Sequence, residues 1–65
     1  MRIGQIKILK DDMNDSYFEL AEAIDDFIEN PTVANRNRVK LKLKEFTSIK
    51  TKTLHNIYDF RCKGE

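Results

Sequence analysis

His55 and Cys62 are the only imidazole and the only thiol in this 65-residue chain. Seven residues apart, they fall two helical turns from each other and could share one side of a helix. A Cys–His pair also needs a third group to orient the imidazole, and none stands at a suitable spacing. A surface histidine and an incidental thiol is the simpler reading. One Cys and one His are too few for a structural zinc site. Asp11, Asp12 and Asp15 lack the glycine and the terminal glutamate that a calcium loop requires. Asp11 with Asp15, and Glu22 with Asp25 and Asp26, can place carboxylates on one helix face. With no histidine, cysteine or apolar pocket beside them, they read as a solvated face. The two glycines, Gly4 and Gly64, cannot build a phosphate-binding loop. We therefore expect no catalytic residue, no metal, no cofactor and no small-molecule substrate: the chain is read as a non-enzyme.

The elements that position these groups are helical. Ile6, Leu9, Met13, Tyr17, Leu20, Ile24 and Phe27 recur every three or four residues, which predicts one continuous apolar face and a helix over about 5–29. A capping-box pattern at Ser16 and Glu19 offers a competing start near residue 16. Asn30-Pro31 must end this helix, because the residue before a proline is pushed out of the α region. The same pair can open a second helix, with Asn30 as the cap and Pro31 at the first helical position. A second helix is expected over about 31–60, its face formed by Val39, Leu43, Phe46, Ile57 and Phe60, with Ile49 and Leu54 on the flanks. Arg38 to Lys44 alternates between charged and apolar residues, a strand signature, and Thr47, Thr51 and Thr53 lean the same way. The proline start and the return of helical spacing after Leu43 outweigh it. A turn this short forces the helices antiparallel. The expected fold is all-α, one antiparallel two-helix hairpin, dimerising into a four-helix bundle.

Charge divides the chain sharply. Residues 1–10 carry three positive charges, 11–30 eight negative and no positive, and 31–52 seven positive and one negative. Folding back at residues 30–31 lays an acidic helix along a basic one, and opposite charges on facing edges would select the antiparallel pairing. Lys50 and Thr53 fall near the middle of the apolar stripe of helix 2; the Lys50 stem would pack there while its ammonium reaches Asp11, Asp12 or Asp15. Phe18 points almost opposite Leu20, and Leu41 almost opposite Val39, so both fall at similar heights on the outer surfaces.

A chain of this length hides only about 60% of its unfolded surface, which makes a lone hairpin marginal and points to a second copy or a partner. The expected function is that of a small protein-interaction module: a regulator, adaptor or inhibitor. Phe18, Leu41 and Tyr58, with the carboxylates Glu22, Asp25 and Asp26, are the candidate partner contacts. The alternative is nucleic-acid binding through Arg36, Arg38, Lys40, Lys42, Lys44 and Lys52. Against it stand a net charge of only +1 and a neighbouring acidic helix. A lone thiol, no secretory signal and no membrane-length apolar run point to the cytoplasm. No motif here names a family.

Overall fold

The computed structural model describes residues 2–60, and Cys62, the partner in the seven-residue spacing to His55, lies outside them. Two helices account for nearly all of the described chain: α1, Arg2–Glu29, and α2, Val33–Asp59, packed against each other as a hairpin. No strand occurs among the described residues. The expected hairpin is present, and α1 is continuous through Ser16, with no second start there.

The turn differs from expectation in one respect. The cap of α2 is Thr32, whose backbone is extended and whose Oγ1 accepts from the Asn35 amide at 3.1 Å. Pro31 therefore precedes the cap, and α2 begins at Val33. Asn30 serves through its backbone instead: its carbonyl accepts from the Thr32 amide at 2.7 Å and from the Asn35 side-chain amide at 2.8 Å. Asn35 Nδ2 also reaches the carbonyl of Asp26 at 3.4 Å. One side chain thus supplies donors to two carbonyls at the end of α1: that of Asn30, beyond the last helical residue, and that of Asp26, which also accepts from the Asn30 amide at 2.9 Å.

Alternation in 38–44 does not produce a strand because its three apolar residues go three ways around a helix. Val39 enters the seam between the helices, Leu41 faces outward, and Leu43 lies on a flank. The threonines are accommodated by donating back along the helix. Thr47, Thr51 and Thr53 hydroxyls reach the carbonyls of Leu43, Thr47 and Ile49 at 2.8–2.9 Å. For Thr53, which is buried, this bond also satisfies a hydroxyl hidden from water.

Thr32→Ala should lower stability by about 1 kcal/mol through loss of the cap. Asn35→Asp keeps the shape but removes both donors and sets a carboxylate against two carbonyls, so it should cost about 1–3 kcal/mol. Urea unfolding followed by circular dichroism checks both. Equal midpoints for Asn35→Asp and the unaltered chain would remove Asn35 from the account of the turn.

Candidate interaction surfaces

Heptad spacing defines the seam. The seam positions, none of them exposed, are Ile6, Leu9, Met13, Ser16, Leu20, Ala23 and Phe27 of α1, with Ala21 and Asp26 half-buried beside them, and Asn35, Val39, Lys42, Phe46, Ile49, Thr53 and Asn56 of α2, with the cap Phe60 beyond. Every step is three or four residues in strict alternation, the pattern of a coiled-coil contact. The Asp26–Arg38 and Glu19–Lys42 bridges and the Tyr17–Phe46 ring contact set the register. It brings Ala23 level with Val39, Ser16 with Phe46 and Leu20 with Lys42, so small residues stand opposite large ones.

This seam is not the stripe expected from hydrophobicity. Tyr17 is 60% exposed and Ile24 40% exposed, whereas Ser16 and Ala23 are buried, Ala23 to 1%. The choice follows from close approach. Small residues let the backbones come together, and the Tyr17 ring then packs from the flank on Phe46, centroids 5.7 Å apart and planes tilted by 56°. In α2, Leu43 and Ile57 are likewise displaced to a flank, and Lys42 and Thr53 take seam positions. The lysine in the seam is Lys42, not Lys50, which is exposed. Lys42 lies 3.7 Å from Glu19 of α1 and 3.6 Å from Glu45 of its own helix.

The two flanks of the seam differ in character, although Ile8 lies beside Gln5 and Lys52 on the charged one. One carries Gln5, Asp12, Glu19 and Asp26 from α1 beside Arg38, Glu45, Lys52 and Asp59 from α2, all polar or charged. Arg38 donates to the Asp26 carboxylate across it. The opposite flank carries Ile3, Lys10, Tyr17 and Ile24 from α1 beside Arg36, Leu43, Lys50 and Ile57 from α2. Ile3, Lys10 and Ile57 line one groove there. One step further out on the same side lie Ile28, Val33 and Leu54. Of the twelve large apolar residues exposed among the described residues, eight belong to this flank: Ile3, Tyr17, Ile24, Ile28, Val33, Leu43, Leu54 and Ile57. Ile8, Phe18, Leu41 and Tyr58 are the other four.

The residues singled out from the sequence do not form one site. Phe18, Glu22 and Asp25 share a shallow depression on the outer face of α1. Asp26 belongs to the charged flank. Leu41 is exposed on the outside of α2, on the side of the charged flank, and Tyr58 sits apart from it with Thr51, Leu54 and His55. Of the cationic set, Arg38 and Lys42 are engaged with Asp26 and Glu19. Lys40, Lys44 and Lys52 border an open depression on the outer face of α2, floored by Thr47, Ser48 and Thr51. Arg36 lies on the apolar flank. Sequence reasoning missed the apolar flank because it assigned Tyr17, Ile24, Leu43 and Ile57 to the core.

Among the described residues no three His, Cys, Asp or Glu side chains gather as metal ligands, and no helix is long and apolar enough to cross a membrane. Comparison with known protein families, curated proteins and solved structures finds no match.

Ala23→Leu tests the seam assignment. Three extra heavy atoms find no room where residue 23 is already buried to 1% exposure, so the change should destabilise the hairpin by about 1–3 kcal/mol. A thermal unfolding curve unchanged from that of the parent chain would refute the close approach at residue 23.

Proposed function

We propose that this chain is a small non-catalytic protein-interaction module, a regulator, adaptor or inhibitor, working in the cytoplasm. It offers its apolar flank to helices of a protein partner, and the assembled form is a four-helix bundle completed by a second copy or by a different protein. The observation that carries this reading is the gathering of eight exposed apolar side chains on one side of the hairpin. Scattered exposed apolar residues are ordinary on monomers, whereas apolar residues gathered on one face mark a contact surface. The carboxylates beside Phe18 on the outer face of α1 supply a second, polar contact for a basic partner. A single cysteine, with no thiol in the chain to pair with, suits a reducing compartment.

The test is affinity capture from the native cell, with and without nuclease, using the parent chain and an Ile24→Ser/Leu43→Ser variant. One protein should be recovered by the parent, whether untagged copies of this chain or another species. Nuclease should not remove it, and the variant should lose it. Recovery indifferent to the flank substitutions, or abolished by nuclease, would overturn the reading.

A nucleic-acid reading is favoured by one observation, the convergence of Lys40, Lys44 and Lys52 around the threonine-floored depression of α2. Phosphate contacts there would make affinity fall steeply with salt. Removing Lys44 or Lys52 should each flatten the salt dependence by about one unit of log–log slope. Titration of labelled single-stranded and duplex RNA and DNA at low salt decides it; absence of binding under those conditions excludes this reading.

A further inference from the structure

We infer that the apolar flank is covered by the same flank of a second copy, with the two hairpins face to face and antiparallel, the turn of each against the open end of the other. This names the partner within the interaction reading above and rests on it.

The hairpin exposes more surface than a chain of its mass keeps when it folds alone. The hairpin is a rod of 51 × 15 × 14 Å with a radius of gyration of 15.3 Å, where a compact chain of this length has about 11 Å. Its accessible surface is 5511 Å², against about 4,300 Å² for a compact monomer of 7.7 kDa. The excess, on the order of 1,200 Å² per copy, is what each member of a stable obligate dimer hides. A second rod laid along the first removes surface of that extent, and the apolar flank runs nearly the whole length of the hairpin.

The order of residues along the flank selects one orientation. The register brings Ile3 level with Ile57, Lys10 with Lys50, Tyr17 with Leu43 and Ile24 with Arg36. With the two turns at the same end, every level would meet itself, and four ammonium groups from Lys10 and Lys50 would crowd one layer of the bundle. Burying that much like charge is prohibitive. With the hairpins reversed, the lysine level meets the Tyr17–Leu43 level of the other copy. Each lysine stem then lies over Leu43, and its ammonium reaches the face of Tyr17 or the solvent beyond it. The Ile3–Ile57 level meets Ile24 and Arg36 in the same arrangement, and the overlap spans the full length of both rods.

Sedimentation equilibrium on the purified chain at micromolar concentrations should give twice the 7.7 kDa chain mass. Leu43→Glu should return it to the monomer mass, while the volume-conserving Leu43→Met keeps the dimer. Phe18→Ser with Leu41→Ser, on the outer faces, should leave the dimer intact; its dissociation would overturn the choice of face, as would a dimer that survives Leu43→Glu. A nitroxide on Glu29→Cys in a Cys62→Ser background reports orientation by pulsed electron resonance. Reversed hairpins separate the two labels by roughly 40 Å at 1.5 Å per residue. A separation under about half of that would overturn the antiparallel arrangement, since turns at the same end bring the labels together. A monomer at every concentration would overturn self-association, while flank-dependent capture of a different protein would leave the interaction reading standing.

Discussion

Two helices can touch along only one line, and that limit governs everything else in this molecule. Each helix can hide one strip of side chains, about two residues per seven. Among the described residues, Leu20 and Ala23 are the apolar residues that become buried, joined by Ser16 and Thr53. A third or fourth helix would enclose the strip; without one, the Phe27, Val39, Phe46 and Ile49 side chains remain half-covered. Burial of apolar surface is the main favourable term in folding, at about 25 cal/mol per Å². A seam this narrow therefore leaves the hairpin with little to set against the entropy of ordering its chain.

Because the seam contributes so little, direction and register depend on polar features at its margin. The end of α1 is tied to the start of α2 by Asn35, which donates to Asn30 and Asp26 carbonyls while Thr32 caps its amide. Asp26–Arg38 and Glu19–Lys42 continue the same edge away from the turn. Each bridge is half-exposed and worth about 0–1 kcal/mol in stability. Their greater effect is on choice: an acidic edge of α1 finds Arg38 and Lys42 of α2 at the levels of Asp26 and Glu19, and a slipped α2 would lose both pairs. The segregation of charge between the two halves of the sequence is what makes this edge work.

The two-helix hairpin and the end of α1 were legible because they depend on local signals: the apolar period of α1 and the proline after Asn30; the cap of α2 was placed two residues too early. Which residues enter the seam was not, because hydrophobicity and steric fit disagree here. Two stripes in α1 share Ile6, Leu9, Met13, Leu20 and Phe27, and differ only in Ser16 against Tyr17 and Ala23 against Ile24. A hydropathy count prefers the second pair. Close approach of two backbones prefers the first, and close approach wins because a large ring can still pack from the side, as Tyr17 does on Phe46. The same substitution of fit for hydropathy puts Lys42 in the seam and Leu43 and Ile57 outside it, while Thr53 is buried where the stripe placed it. The regular step from three to four residues, read through small and polar positions as well as large ones, was the signal that could have revealed it. Thr32 as the cap was open to the same kind of reading, since Asn35 stands three residues beyond it.

Displacing large residues from the seam does not lose their apolar surface; it relocates that surface to one flank, and this is where fold and function meet. An apolar flank along a rod is hazardous, because a partner bound out of register leaves new apolar surface at each end and invites open-ended stacking. Lys10, Lys50 and Arg36 interrupt the flank at fixed levels. They bar any arrangement that sets cation against cation, and they leave few registers in which apolar levels still meet. A two-fold axis uses each flank once and ends the series. Charge on this flank acts as a restriction on geometry, whereas charge on the opposite flank acts as attraction within one chain. The asymmetry between the two flanks follows from a single seven-residue period read around both helices, with the seam itself as the thin boundary between them.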